Sequence, residues 1–401
     1  MSKPALNAAH KAPAAPDLRL AGHLAPLDGV RGLAILMVLL YHFVAQSTIT
    51  SRLEATVNWV LGFGFLGVDL FFVLSGFLIT GILYDSRTDP NFFRNFYMRR
   101  VLRIFPLYYL VLAVVFIIIP QVPPLRGSEI AGLREHQAWA WLYAVNVYLS
   151  IKGMWALSYI RHFWSLAVEE HFYLVWPLVV WFLAARPKVL LRVALLLAAL
   201  ALVARAWASH VGVNLVAVTV LTPFQLDALL LGGFFAVYLR QPGGVAVTRR
   251  IVLPMTLIAI ALLILESGIH RAYAPEIAAL RSLRYGAFHV LFASLLLGAL
   301  LMPPASLLSR FFSSRPMVVL GKYSYGLYVY HHFFSHYFGT HGTEFVIART
   351  VGSHTFAVLI QAAGGLAASM VMAWMSYEFF ESYFLRLKRL WPQSRGPAAK
   401  G

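Results

Sequence analysis

Long runs of apolar residues, separated by short polar or Pro- and Gly-containing segments, recur along nearly the whole chain. A helix that crosses a bilayer needs roughly 20 apolar residues, and about ten runs approach or exceed that length. The pattern therefore predicts an all-α integral membrane protein with about ten transmembrane helices, whose ends are defined to within a few residues. The predicted helices span residues 27–47, 59–84, 104–120, 164–184, 189–206, 217–239, 251–266, 285–303, 316–338 and 354–380.

Three other segments complete the predicted organisation. Residues 138–151 (AWAWLYAVNVYLSI) are apolar but too short to cross, which favours an interfacial or re-entrant segment. Residues 1–26 are rich in Ala and Pro and lack a signal-peptide core, so we expect a disordered cytoplasmic N-terminal tail. Residues 385–401 are basic and are predicted to form a cytoplasmic C-terminal tail, leaving 27–384 as the membrane domain.

The composition agrees with a bilayer as the solvent. Of the 401 residues, 60% are hydrophobic and 12% are charged, whereas soluble domains carry roughly 25% charged residues. Cysteine is absent, which excludes thiol catalysis, thiolate metal sites and disulfides.

The net charge of +17 comes from Lys and Arg residues that lie mainly between the predicted spans. With the N-terminus inside, the cytoplasmic segments hold roughly twice as many of these residues as the outer segments. This bias predicts that both termini are cytoplasmic. No basic stretch carries a nucleic-acid motif, so nucleic acid is not an expected partner.

Ionisable residues inside apolar spans are costly and are therefore functional candidates. The first span carries Arg31 and His42 eleven residues apart, roughly 16 Å along the helix, with Arg31 nearer the cytoplasmic end. A snorkelling arginine and a hydrogen-bonded core histidine are the structural alternatives. The second span carries Asp69, for which a structural ion pair is the alternative, and Ser75.

Four arginines, Arg94, Arg99, Arg100 and Arg103, cluster where a cytoplasmic loop is predicted to meet the third span. Topology alone accounts for some of them. Guanidinium groups interleaved with Phe and Tyr also suit a phosphate-rich ligand, because guanidinium grips phosphate and aromatic rings stack on bases.

The fourth span opens with Trp164, Ser165, Glu169 and Glu170 in the segment RHFWSLAVEEHFYLVWP. Ser165 and Glu169 are four residues apart and share a helix face, while Glu170 points elsewhere. The two acids could orient a histidine, transfer a proton or cap the outer loop.

The ninth span places Ser324, Tyr328 and His331 on one face, which indicates a polar lining. His331 and His332 are adjacent, so they point about 100° apart and are not expected to form a chelating pair. The sequence predicts no metal site.

Together these segments resemble membrane-bound acyltransferase family 3, the O-acyltransferases that modify surface polysaccharides, peptidoglycan, Nod-factor sugars and macrolides. The resemblance covers about residues 25 to 385 and rests on five ordered blocks: Arg31 to His42, GVDLFFVLSGFLI at 67–79, Arg99 to Pro106, Trp164 to Pro177 and Ser324 to His331. The segment EFFESYF lacks the usual Pro, and His171 stands where the family more often has Gln. The resemblance implies a ten-helix membrane domain that passes an acyl group from cytoplasmic acyl-CoA to an acceptor hydroxyl.

Residue chemistry and the resemblance agree on a hypothetical mechanism. His42 is the candidate base, or alternatively a transient acyl carrier, and Asp69, Glu169 or Glu170 would fix its tautomer. Arg31 would hold the donor near its phosphates or pantetheine. The remaining candidates are Arg99, Arg100 and Arg103 for the phosphates of CoA, and Ser75, Trp164, Ser165, Tyr328 and His331 for substrate contacts.

We therefore expect a multi-pass enzyme of the bacterial cytoplasmic (inner) membrane that uses acetyl-CoA and no metal. The expected acceptor is a carbohydrate, such as a cell-surface polysaccharide or its lipid-linked precursor. A small-molecule glycoside of macrolide type and a transporter of acyl donor or ion-coupled substrate are the alternatives. Many relatives carry an extracytoplasmic hydrolase-like domain. We expect the membrane domain alone, or a separate extracytoplasmic partner, to complete the transfer.

Overall fold

The structure, a computed structural model, describes residues 24–122, 128–273 and 278–392. Helices dominate this part of the chain and it contains no β-strand, which confirms the all-α prediction. Residues 1–23 and 393–401, which hold most of both predicted tails, lie outside the described residues. Helical structure continues to Leu390, within the segment assigned to the C-terminal tail.

The α-helices follow one another in the described ranges, and short π or 3₁₀ turns extend several of them. They are α1 (Ala25–Leu40), α2 (Arg52–Leu61), α3 (Gly67–Asp85), α4 (Phe92–Ala113), α5 (Ser128–Glu135), α6 (Ala138–Trp141), α7 (Val145–Lys152), α8 (Trp164–Leu183), α9 (Pro187–His210), α10 (Leu215–Val220), α11 (Leu226–Tyr238), α12 (Gly244–Tyr273), α13 (Ala278–Leu301), α14 (Leu307–Phe312), α15 (Arg315–His341), α16 (Thr343–Val351), α17 (His354–Ser376) and α18 (Ser382–Leu387).

Within the described residues, eight helical segments are long and apolar enough to cross a membrane, and each overlaps one predicted span. This makes the chain a multi-pass membrane protein. The eight segments are Ala25–Ala45, Arg52–Asp85, Phe92–Gln121, Ser158–Leu183, Pro187–His210, Gly244–Ile269, Ser282–Leu301 and His354–Leu390. The apolar segment at 138–151 folds as the short helices α6 and α7.

Two predicted spans differ from these eight. The span at 316–338 is the continuous 27-residue helix α15, whose polar face lowers its mean hydropathy. The span at 217–239 is broken into α10, the 3₁₀ turn Thr222–Gln225 and α11. Pro223 lies in that turn, where a proline removes a backbone donor and interrupts the helix. The carbonyl oxygen of Thr219, four residues before Pro223, accepts a hydrogen bond from the side-chain amide of Gln225. Arg205 donates to the carbonyl oxygen of Phe224 in the same turn.

Close contacts between helices depend on glycine. A Cβ atom at Gly76 of α3 would overlap the carbonyl oxygen of Leu229 in α11, and one at Gly321 of α15 would overlap the carbonyl oxygen of Asp28 in α1. Without side chains at these positions the backbones approach closely, as small residues permit in membrane helix pairs. These contacts fix α1 and α3 against their neighbours, and α1 and α3 carry Arg31, His42, Asp69 and Ser75.

The buried apolar side chains form two clusters. One joins α3, α8, α11 and α13, and the other joins the His42 half of α1 to α4, α7 and α15. Large apolar side chains also cover the outside of the protein, as expected where lipid replaces water. Exposed examples on α8, α9, α12 and α17 are Leu174, Phe182, Val203, Ile264 and Phe356.

Candidate active site

His42 lies in the π turn Tyr41–Ala45 that follows α1. Such turns within helices occur frequently at functional sites. The Nδ1–H of His42 donates to the carbonyl oxygen of Val38 at 2.9 Å. Because a carbonyl can only accept, this bond places the proton on Nδ1 and leaves Nε2 with the lone pair that a base needs.

His42 lines a cavity of about 410 Å³. Of the residues predicted from the sequence, Asp69, Trp164 and Tyr328 line the same cavity. Arg161, His162 and His332, to which the sequence analysis gave no role, line it as well. Arg161 and His162 open the segment RHFWSLAVEEHFYLVWP, just ahead of the block that begins at Trp164. That position was the available sequence signal.

Asp69 does not contact His42 as the sequence hypothesis required. Its Oδ1 accepts a hydrogen bond from Nε2 of His289 at 2.9 Å, and Nδ1 of the same ring lies 2.9 Å from Asp227. Arg205 in turn donates two hydrogen bonds to Asp227. All four side chains are buried. Asp69 therefore belongs to an ion network that joins α3, α9, α11 and α13, and a backbone carbonyl orients His42 instead.

A second cavity, of about 110 Å³, holds Arg31, Arg100 and Arg103. The four clustered arginines all lie within α4. This helix begins at Phe92, whereas the predicted span began at residue 104. Arg31 forms an ion pair with Asp28 at 3.1 Å. The Nε of Arg100 is buried and lacks a hydrogen-bond partner. A buried cation with an unsatisfied donor is suited to an anionic ligand.

Arg99 differs from the arginines beside it. Its guanidinium donates to the carbonyl oxygens of Lys388 at 3.2 Å and Trp391 at 3.0 Å, so it holds residues 388–391 against α4. Lys388, which the sequence analysis placed in a tail, lies within electrostatic range of the arginine cluster. Helical structure continues beyond residue 384 and brings Lys388 close to the arginines. No sequence pattern indicated that these residues would lie together.

The predicted residues Ser75, Ser165, Glu169 and Glu170 line the arginine cavity rather than the His42 cavity. Ser75 bonds to Tyr173, another residue that the sequence analysis missed, with 2.6 Å between their hydroxyl oxygens. Oε1 of Glu170 is buried without a hydrogen-bond partner. Neither glutamate contacts His42 in the described structure, so the hypothesis that one of them fixes its tautomer is also unsupported.

Tyr328 lies where the two cavities meet. Tyr328 and Val68 line both cavities. The hydroxyl of Tyr328 lies 2.5 Å from that of Ser165, which lines the arginine cavity, and 2.8 Å from the carbonyl oxygen of His162, which it can bond. This arrangement places one phenol between the arginine cluster and the His42 cavity.

His331 lies behind the cavity wall with 0% exposure. Its ring centre is 4.8 Å from that of His42, and the ring of His332 is 5.2 Å from His42. The ring centres of the adjacent His331 and His332 lie 5.9 Å apart on α15, and their candidate ligand nitrogens lie within 4.8 Å of each other. His42 lies close to both, a relationship that the helix geometry of α15 alone did not predict.

A third cavity, of about 280 Å³, shares His42, Gln46, Arg161 and His332 with the His42 cavity. Its other lining residues include many hydrogen-bonding side chains: Ser47, Thr48, Ser335, His336, Thr340, Glu344 and Gln361. His42 therefore lines two cavities: this polar one and the one that lies next to the arginine cavity.

The comparisons with known proteins all match this chain to acyltransferases. Residues 24–378 match the family model described as an acyltransferase domain. The chain is 30% identical to the O-acetyltransferase OatA of Staphylococcus aureus over 77% of this chain and 50% of that protein. It is 29% identical to the peptidoglycan O-acetyltransferase OatA of Listeria monocytogenes over 89% of this chain and 55% of that protein. The chain thus spans about half the length of these relatives, and no solved structure matches it.

Proposed function

The chain belongs to acyltransferase family 3, and from this premise we propose that it transfers an acetyl group from cytoplasmic acetyl-CoA to a hydroxyl of a carbohydrate. The observation that carries the proposal is the position of Tyr328 and Val68, which line both the arginine cavity and the cavity of His42. The two cavities are therefore adjacent, and a donor held by its phosphates in the first would present its thioester toward the base past these two side chains.

The arginine cavity is suited to the phosphates of acyl-CoA, which is a substrate rather than a resident group. Arg31, Arg100 and Arg103 line it, and the buried Nε of Arg100 awaits an acceptor. Charge-assisted hydrogen bonds from guanidinium to phosphate are roughly twice as strong as neutral ones. We assign Arg99 a structural role instead, because it holds residues 388–391 against α4.

The chemical step requires only residues at the His42 cavity. Nε2 of His42 takes the proton from the acceptor hydroxyl while that oxygen attacks the thioester carbonyl carbon. The carbonyl electron pair moves onto oxygen, and it returns as the carbon–sulfur bond breaks. The imidazolium then gives its proton to the departing thiolate, so the products are the acyl ester and free CoA. Arg161 lines the same cavity and is the candidate to stabilise the transient oxyanion.

The third cavity supports a carbohydrate acceptor. It shares His42 with the reaction cavity, and its hydroxyl, amide and carboxylate side chains suit a ligand rich in hydroxyl groups. The names of the relatives describe O-acetyltransferases, one of them acting on peptidoglycan. We therefore place peptidoglycan and other surface polysaccharides, with their lipid-linked precursors, first among the acceptors.

The excess of Lys and Arg near the Arg31 end of α1 supports a cytoplasmic position for that end, on the side where acyl-CoA is made. The His42 end would then face outward, in the cytoplasmic membrane of a bacterium. A separate extracytoplasmic protein would receive the acyl group wherever the final acceptor cannot reach His42 directly.

The test is an assay of the purified protein in lipid vesicles with acetyl-CoA and a panel of glycans that includes peptidoglycan fragments. Free CoA and acetylated product would be followed by mass spectrometry for the wild type, His42→Gln and His341→Gln. His341 is an exposed histidine near the end of α15 and serves as the matched control. We expect product from the wild type and the control, and about 10²–10⁴-fold slower product formation by His42→Gln.

Two results would contradict the proposal. Normal product formation by His42→Gln would exclude His42 as the base. Bound or translocated acetyl-CoA without release of free CoA, whatever the glycan, would favour the transporter alternative.

A further inference from the structure

Four histidines converge beside the His42 cavity. Candidate ligand nitrogens of His42, His331 and His332 all lie within 4.8 Å of one another. The ring of His162 lies 4.9 Å from that of His332 and 5.4 Å from that of His331. His162, His331 and His332 are buried, at 5%, 0% and 1% exposure, which is uncommon for so many imidazoles together.

Backbone carbonyls determine which nitrogen of three of these rings carries the lone pair. His42 donates from Nδ1 to Val38, His331 donates from Nδ1 to the carbonyl oxygen of Tyr328 at 2.7 Å, and His162 donates from Nε2 to the carbonyl oxygen of Val329 at 3.2 Å. The opposite nitrogens of His331 and His162 are buried and lack a hydrogen-bond partner. Lone pairs left in this way need a proton donor or a cation.

The same arrangement is typical of metal-binding histidines. A ligating imidazole almost always donates its other N–H to a carbonyl, carboxylate or water, which fixes the ring and its tautomer. Neutral imidazoles favour zinc and neighbouring divalent transition metals over magnesium or calcium. Three histidines with a fourth position open to a cavity would complete a four-coordinate ion.

Two features oppose binding and set its strength. Zinc–nitrogen bonds of about 2.0–2.1 Å require ligand nitrogens about 3.3 Å apart, so the rings must close by about 1 Å or more. His42 and His332 line the adjoining cavities and have room to move, so these two rings must close on the fully buried His331. The second feature is the existing bonding of His332. Arg161 donates to Nε2 of His332 at 3.1 Å, and the carbonyl oxygen of Ser158 lies 3.0 Å from the same nitrogen, so His332 must give up these contacts to bind an ion. The positive charge of Arg161 also repels a metal ion.

We propose that His42, His331 and His332 form a binding site for a divalent transition-metal ion such as Zn²⁺, and that the bound ion blocks His42. Coordination occupies the Nε2 lone pair that would accept the hydroxyl proton, so an occupied site cannot act as the base. The binding stands independently of the acyl transfer, whereas the inhibition rests on the proposed function.

The first experiment measures binding without any assay of turnover. Protein purified through an affinity tag that contains no histidine would be titrated with Co²⁺ in lipid nanodiscs, with visible absorption to report the ligand geometry. Bound zinc would be counted by mass spectrometry after dialysis. We expect one ion per chain and a tetrahedral cobalt spectrum for the wild type and for His341→Gln.

Variants locate the ion. His42→Gln, His331→Gln and His332→Gln should each weaken binding roughly tenfold or more, since loss of even an outer-shell partner costs that much. Arg161→Gln should strengthen binding, because it removes the repelling charge while retaining an amide. Thermal unfolding of each variant identifies any that fail to fold, and the gain expected for Arg161→Gln cannot arise from misfolding.

The outcomes separate the two proposals. No bound metal, or binding unchanged by all three ligand variants, would overturn the site and leave the proposed acyl transfer untouched. Loss of turnover in parallel with zinc occupancy would support both. Full turnover with the site occupied would overturn the blockade and the role of His42 as base.

Discussion

The carbonyl oxygen of Val38 accepts the Nδ1–H of His42 at 2.9 Å, one turn earlier in the same helix. A local backbone contact thus supplies what one of three carboxylates, Asp69, Glu169 or Glu170, was expected to supply. Because α1 carries its own orienting group, His42 keeps its tautomer without a charged neighbour, and Asp69 is free to join the network of His289 and Asp227.

The first prediction concerns this imidazole. His42→Gln should lower turnover by a factor of about 10²–10⁴, the usual contribution of a general base, and leave the dissociation constant for acetyl-CoA unchanged. The measurement is CoA release at saturating acceptor, paired with binding of a non-hydrolysable CoA thioether. Equal losses of turnover and CoA affinity would indicate a structural role for His42.

The second prediction concerns the arginine cavity. Arg31→Gln should weaken acetyl-CoA binding by roughly ten- to a hundredfold, since a charge-assisted hydrogen bond contributes about 1.5–3 kcal/mol. Arg94→Gln is the control, because Arg94 is exposed on the same helix as Arg100 and does not line the cavity. Calorimetric titration of each variant with CoA measures the two dissociation constants. Similar affinities for both variants would remove Arg31 from the donor site.

The third prediction concerns the buried ion network. Asp227→Asn leaves the 1%-exposed Arg205 without its paired carboxylate and should destabilise the fold by about 3–5 kcal/mol. Asp69→Asn should cost less, because His289 keeps its contact with Asp227. Thermal unfolding in detergent compares the two. The order of stability would be reversed if Asp69, rather than Asp227, balanced the network.

The fourth prediction concerns the contact between α3 and α11. Gly76→Ala would place a methyl group against the carbonyl oxygen of Leu229 and should cost about 1–3 kcal/mol or more. Gly364→Ala, within α17, meets no atom within 4 Å and should be neutral or stabilising by about 0.4–1 kcal/mol. Yield of folded protein and unfolding temperature measure both. Equal yields and unfolding temperatures for the two variants would show that α3 and α11 can move apart without loss of stability.

The sequence by itself determined the features that depend on local composition. Apolar runs identified eight helices that can cross a membrane, because spanning length and hydropathy are properties of single segments. Arg31 and His42 were found for the same reason, since a charged or titratable residue is conspicuous within an apolar run. Ordered blocks of residues then indicated the family that the whole-chain comparison established.

Only the tertiary structure decided which polar groups meet. The partners of Asp69 follow from packing among α3, α9, α11 and α13, which no local pattern encodes. The convergence of His42 with His162, His331 and His332 joins three separate elements of the chain. A buried polar group must find a partner somewhere, so the sequence shows that a partner is needed, but the three-dimensional arrangement of helices selects it.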